Sequence, residues 1–317
     1  MSNLHSNSSR RPGRVVASPR ARRTMRQFQV DPNSVRGSGP GGRIVEADVK
    51  AVGAPPAATQ GAARSGMKSA AGKTPKPAAA PRTGAGISVM RRAIAEKTAL
   101  SFSTVPHFYL RTEVDATPLI EFRQQLVSVV ERETGAKPTL TDFLLRAMGR
   151  ALAEFPTVNS IWQNDCIVTL PTVDIGVVVG LPDGLLIPIL RNVDQLTLAQ
   201  VVKRRSDLVA AARAGQISAE ATEGGAMSLS NLGASAVDEF SPVIACPQSS
   251  MLAAGSAAPR PFVVGGKLAV RTTLRLCLAV DHRVMDGAPA AAALGRMVDL
   301  IQQPALLVRD GAFVGFE

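Results

Sequence analysis

Residues 278–288 read LAVDHRVMDGA: an apolar run exits into Asp281-His282-Arg283 and then into Asp286-Gly287. His282 is one of three histidines in 317 residues. An imidazole held in a His-Arg-x-x-Asp-Gly turn at the end of an apolar strand is placed like a base, because its neutral ring accepts a proton near neutral pH. The competing reading is a packing histidine whose ring satisfies a backbone carbonyl. By sequence, the other two histidines, His5 and His107, sit in less structured surroundings. Gly287 permits the turn into a last helix, expected over 288–302.

Upstream of this turn, 226–229, 250–255, 262–264 and 268–280 read as strands, and 197–214 has helical spacing. Between 167 and 190, short strand-like runs are broken by Gly180, by Pro182-Asp183-Gly184 and by Pro188. A helix is expected from Thr141-Asp142 to Phe155, with Pro156 as its stop. Another opens at Asp115 or Thr117 and carries Leu119, Phe122, Leu126 and Val129-Val130. His107 to Val114 reads as a strand, and Met90, Ala93 and Ile94 mark an amphipathic helix ending before Pro106. The pattern is mixed α/β without the regular alternation of a doubly wound sheet. No GxGxxG follows a strand and no GxxxxGK[ST] occurs, which argues against a dinucleotide or nucleoside triphosphate enzyme.

Hydrophobic residues make up 45% of the chain but aromatics only 4%, so the core must be filled with Val, Leu, Ile and Ala. The apolar runs fall far short of a membrane span of roughly 20 residues. The N-terminus lacks the apolar stretch of a secretory signal, so a cytoplasmic location is expected. Cys166, Cys246 and Cys277 are odd in number and without CxxC spacing. They read as buried small hydrophobes, with no metal site.

The net charge of +11 is unevenly divided. Residues 1–86 hold 15 Lys/Arg against 3 Asp/Glu, while residues 87–317 hold 21 against 22. The body is nearly neutral, which argues against nucleic-acid binding there. The chain divides into a basic disordered tail (1–16), a small helical module (17–50), an Ala/Pro/Gly linker (51–86) and a large domain (87–317). In the module, Ser18-Pro19 starts a helix that presents Ala21, Met25 and Phe28 on one side. Ile44, Val45 and Val49 then mark a second short helix. So few anchors suit a module that presents a charged face, not one that houses chemistry.

With these motifs in order, the sequence resembles the dihydrolipoamide acyltransferases, the E2 components of 2-oxo acid dehydrogenase complexes. The resemblance is carried by Asp281-His282-Arg283-x-x-Asp286-Gly287, by SLSNLG at 228–233, by VDIGVVVGLPDGLLIPILRNVD at 173–194 and by VPHFYLRTEVD at 105–115. The module resembles that family's peripheral subunit-binding domain through ASPRARR and VRGSGPGGRIVEADV. The resemblance implies a two-layer α+β sandwich of the chloramphenicol acetyltransferase-like fold. It implies His282 as general base, Ser230 as hydrogen-bond donor to a tetrahedral oxyanion, and Asp286 as a shape-keeper paired with an arginine such as Arg283. Coenzyme A would run past Gly180, Leu181, Asp183, Gly184, Leu185 and Asn231. It also implies a homotrimer whose active centres lie between subunits, and an E1 or E3 partner for residues 17–50.

The sequence departs from the family at its front, where residues 1–16 leave no room for a lipoyl domain and supply no lipoyl-bearing lysine. After Leu307 the sequence continues VRDGAFVGFE, past the short apolar ending by which many chains of this family join trimers into larger cores. The leading expectation is therefore acetyl transfer from acetyl-CoA, with no permanently bound cofactor, to the hydroxyl of a small-molecule acceptor such as a tetronate intermediate of antibiotic biosynthesis. The alternatives are an E2 component served by lipoyl domains in trans and a noncatalytic E3-binding scaffold.

Overall fold

The computed structural model describes residues 16–28, 30–53 and 86–308. They belong to two units, one within residues 1–81 and one within 82–317, each with its own apolar core. The tail over 1–15, most of the linker and the segment after residue 308 lie outside the described residues.

In the small unit, Ser18 caps α1 (Pro19–Phe28) by accepting the Ala21 N–H at 3.1 Å. Proline is tolerated at the first turn because its missing N–H has no partner there. A parallel bridge joins Ala17 to Ile44 before α2 (Glu46–Gly53) begins. Asp48 of α2 ties down the glycine-rich loop, accepting from the Ser38 N–H and hydroxyl and from the Val45 N–H. Ala21, Met25, Val35, Ile44 and Val49 form the core. Phe28, expected as an anchor, is exposed; Val30, just past the helix, packs against the core in its stead. Arg20, Arg22, Arg23 and Arg26 all reach solvent.

The large unit opens with α3 (Val89–Thr104), capped by Ser88 and exposed along most of its length. Met90 and Ile94 lie against Gly184, while Ala93 is exposed, so the apolar face is narrower than its spacing implies. Next come β1 (His107–Asp115), α4 (Thr117–Thr134), α5 (Leu140–Glu154), β2 (Ser160–Gln163), β3 (Cys166–Thr169), β4 (Ile175–Val177), β5 (Val179–Leu181), β6 (Gly184–Leu186) and β7 (Ile189–Leu190). The chain ends with α6 (Leu198–Arg213), β8 (Met227–Asn231), β9 (Ser250–Ala254), β10 (Ala258–Val264), β11 (Lys267–Asp281) and α7 (Gly287–Gln302).

The main sheet runs β1-β11-β9-β8-β4-β7, with β10 folded back on β11. Pairing is parallel at β4-β8 and β8-β9 and antiparallel elsewhere. Apolar residues of α4, α5, α6 and α7 share one core with Leu276, Leu278 and Val280 of β11, giving the expected layer of helices on a sheet. Gly176 of β4 is required by a close approach: a Cβ there would stand 2.1 Å from the Ser228 hydroxyl on the paired strand. Of the three cysteines only Cys277 is buried; Cys166 is exposed on the β2–β3 hairpin and Cys246 is half-buried, so the expectation of three buried thiols is corrected. No helix among the described residues is long and apolar enough to cross a membrane.

Asp142 anchors the helix layer. Fully buried, it accepts from the Thr139 N–H and hydroxyl and from Arg205 Nε at 2.6 Å. Asp142→Ala leaves Arg205 and the Thr139 N–H without their buried acceptor, and should lower unfolding free energy in urea titration by about 3–5 kcal/mol. Asp115 gives a pH signature. Burial pushes its carboxyl up, but Thr117 and the Arg271 guanidinium outweigh burial and hold it below its ordinary value. The stabilisation is therefore present above the unfolded pKa of about 3.9 and lost as pH falls through the folded one. Asp115→Asn should flatten the acid limb of stability against pH, measured by urea unfolding at a series of pH values.

Candidate active site

Pairing of β11 with β1 sets His107 opposite Asp281, and pairing with β9 sets Val280 opposite Ser250. The ladder runs one bond further on each side: the Asp281 N–H donates to the Ser249 carbonyl at 2.8 Å and the His282 N–H to the Pro106 carbonyl at 3.1 Å. A tight turn follows, closed by the Val284 N–H on the Asp281 carbonyl at 3.0 Å. His282 therefore leaves the sheet from a backbone fixed by neighbours on both sides. Its ring centroid is 4.6 Å from that of Phe108, and its side chain is 52% exposed. An incoming substrate can reach the imidazole.

The packing-histidine reading belongs instead to His107. Its Nδ1 lies 2.9 Å from the Val105 carbonyl, and its Nε2 accepts the Ile244 N–H at 3.1 Å. Both ring nitrogens are engaged, so His107 holds the chain entering β1 to the loop before β9. That corrects the sequence view of its surroundings as less structured than those of His282.

The expected Asp286–Arg283 pair does not form. Arg283 turns back to Asp281, with Nη2 at 2.7 Å and Nε at 3.0 and 3.2 Å from the two carboxylate oxygens. The Arg283 N–H also donates to Asp281 Oδ1 at 3.0 Å. Asp281 is buried and Asp286 is 87% exposed, so the guanidinium goes to the carboxylate that water cannot satisfy. Asp286 precedes α7 as its cap residue without accepting an N–H through its side chain. Its Oδ1 lies 3.7 Å from His282 Nδ1, beyond hydrogen-bond length but on the same side of the turn. Gly287 opens α7 as expected.

Ser230 sits in β8, half-buried, and its hydroxyl has no hydrogen-bond partner among the described residues. A free hydroxyl on a rigid strand is available to donate. Its neighbour Ser228 donates to Gln248, which in turn donates to the Gly224 carbonyl, anchoring the strand. Asn231 uses its amide internally, donating to Thr141 Oγ1 at 3.0 Å and accepting the Gly233 N–H at 2.7 Å. It and Gly180 line a cavity of about 590 Å³ with Thr141, Leu229, Arg205 and Arg213. Asp183, Gly184 and Leu185 are not on that cavity. The Asp183 carbonyl accepts from Arg91 at 3.3 Å, and a Cβ at Gly184 would meet Ile94 at 2.6 Å, so this turn seats α3. Leu181 packs against the main core.

Ser230 and His282 are far apart within one chain. Ser230 is opposite Ala253, which is opposite Cys277, five residues before His282. That offset is roughly 16 Å along the strand and roughly 10 Å across two strand spacings. No single reacting carbon reaches both side chains of one copy. The signals that sequence reading missed are charge pairs: Asp281 stands two residues before Arg283, and Asp142 finds Arg205 only through the fold.

Residues 80–309 match the 2-oxoacid dehydrogenases acyltransferase (catalytic domain) family, and residues 15–50 match the e3 binding domain. The dihydrolipoyllysine-residue acetyltransferase component of the Zymomonas mobilis pyruvate dehydrogenase complex is 33% identical over 95% of this chain and 68% of its own. That of the Bacillus subtilis acetoin cleaving system is 34% identical over 93% and 71%. Among solved structures, Azotobacter vinelandii dihydrolipoamide acetyltransferase is 30% identical, with a TM-score of 0.68 over 72% of this chain and 94% of its own. That structure concerns the role of a serine, a histidine and an asparagine in its catalytic mechanism.

The two aspartates should part company on mutation. Asp281→Ala strips Arg283 of its buried partner and should cost about 2–4 kcal/mol in denaturant unfolding. Asp286→Ala removes an exposed side chain and should stay within about 0.5 kcal/mol of the parent.

Proposed function

The chain belongs to the 2-oxoacid dehydrogenases acyltransferase family, and on that premise we propose that it moves an acyl group between the thiol of dihydrolipoamide and that of coenzyme A. The single observation that carries this reading is the pairing, on one chain, of an acyltransferase domain with an e3 binding domain. A free-standing acyltransferase has no use for the second. The relatives support the thiol acceptor over the tetronate hydroxyl expected from the sequence, and both are dihydrolipoyllysine-residue acetyltransferases over nearly the whole of this chain.

His282 is the general base. It takes the proton from the attacking thiol as the sulfur adds to the thioester carbonyl, and returns it to the sulfur that leaves. A thiol gives up its proton far more readily than an alcohol hydroxyl, so a thiol nucleophile is the easier one for an imidazole to deprotonate. The thiol demands far less of the base. Ser230 donates to the tetrahedral oxyanion. In Azotobacter vinelandii dihydrolipoamide acetyltransferase the serine and histidine are 52 residues apart and the asparagine follows four later; Ser230, His282 and Asp286 keep both intervals. Here the third residue is a carboxylate, which stabilises the imidazolium formed when His282 accepts its proton. Gly180 and Asn231 keep the cavity on the coenzyme A path open.

The separation of Ser230 from His282 supports an active centre completed between copies, as in a trimer with His282 from one chain and Ser230 from the next. The exposed arginines of α1 suit an acidic face on an E1 or E3 subunit.

Acetyl-CoA incubated with dihydrolipoamide should give acetyl-dihydrolipoamide; exclusive acetylation of an alcohol would overturn the thiol reading. His282→Ala should lower turnover by about 10²–10⁴-fold and Ser230→Ala by about 10²–10³-fold. Unfolded and refolded together in equal amounts, the two inactive variants should recover about a quarter of the parental rate, since mixed interfaces pair an intact histidine with an intact serine. No recovery in mixed oligomers would place both groups on one chain.

A further inference from the structure

The β2–β3 hairpin stands outside the main sheet, its tryptophan partly buried against the main core, and the acyl-transfer chemistry does not account for it. It carries Trp162, the chain's single tryptophan. The Arg283 guanidinium carbon lies 5.3 Å from the Trp162 ring centroid, inside the range where a cation is drawn to an aromatic face. Arg283 also grips Asp281 through its backbone N–H, Nε and Nη2. Residues 281 and 283 are thereby locked together across residue 282, whose backbone has little room left to turn.

The hairpin touches this bracket a second time. The Ser249 hydroxyl donates to the Ser160 carbonyl at the start of β2, and the Ser249 carbonyl accepts the Asp281 N–H at 2.8 Å. One flank of His282 thus rests on the hairpin through Trp162, the other through Ser160 and Ser249. Arg283 is itself partly exposed, and a long side chain at the surface gains rotamer freedom by leaving its partner. The indole face opposes that escape. Hydrogen bonding to Asp281 raises the Arg283 pKa against the effect of burial, and Asp165 in the hairpin turn adds in the same direction.

We propose that Trp162 is a positioning residue for His282, acting through Arg283 and Asp281, so that the hairpin sets the direction in which the imidazole points. This rests on the reading of His282 as the base. A base displaced by about 1 Å can lose about 10²-fold in rate, so a modest loosening of the bracket should be visible in turnover.

The test uses the full chain with acetyl-CoA and dihydrolipoamide. Trp162→Leu keeps apolar bulk but removes the aromatic face, and should lower kcat about tenfold with both KM values within about twofold of the parent. Trp162→Phe restores an aromatic face and should recover at least about half of the parental kcat. Equal kcat for the Leu and Phe variants, or a risen KM at unchanged kcat, overturns the proposal. If Trp162→Leu fails to fold, Arg283→Lys decides: a shifted Trp162 fluorescence maximum together with a lowered kcat supports the link, and an unchanged maximum with unchanged kcat refutes it. His282→Ala separates the two layers. Activity surviving there sinks the base assignment; activity lost there with Trp162→Leu at full rate sinks only the positioning role.

Discussion

The register of β11 is the constraint on which the rest of the large unit depends. The side-chain period of a strand is two, so a slip of one residue would turn Leu276, Leu278 and Val280 out of the core they share with the helices. Each such side chain contributes about 1.5–3 kcal/mol when fully buried, so the alternative register is strongly disfavoured. β1 and β9 hold the strand from both sides up to Asp281. His282 is the first residue past that double clamp. Its place in space is thus a consequence of hydrophobic burial several residues upstream.

Much of this was legible in the sequence, for physical reasons that differ between elements. Helices α5 and α6 were legible from their spacing and local stops, although α5 begins at Leu140 with Thr139 as its cap, just ahead of the Thr141-Asp142 start read from the sequence. The long apolar stretch of β11 and the turn after it are equally local. What failed was non-local choice. Arg283 had two aspartates within reach, and which one it grips is decided by burial of Asp281, a property of the finished fold. The turn at 182–185, placed on the coenzyme A path by the resemblance alone, also seats α3, a contact that no local pattern in the sequence announces. β2, four residues long, was too short to carry a periodic signal. Cys166 went to an exposed hairpin because thiol burial is only a tendency.

Chemistry and charge are assigned to different units. The large unit is nearly neutral and brings a half-exposed imidazole to the end of a rigid sheet. The small unit presents four arginines on a helix whose apolar side is used up in its own minimal core, and the rest of the basic excess is spread over the tail and linker sequence. A thioester chemistry that needs substrate delivered from another protein fits this division, since docking and transfer place opposite demands on a surface. The separation of Ser230 from His282 adds a further dependence to the proposed function: if the two groups meet only between copies, assembly and activity should rise and fall together.

A crystal structure of the chain with coenzyme A bound tests the central claim most directly. The account predicts the thiol sulfur within about 3.5 Å of the His282 imidazole, with Ser230 of a neighbouring copy facing the carbon it would attack. A sulfur seated beside His107, or at any place the His282 ring does not reach, would contradict it.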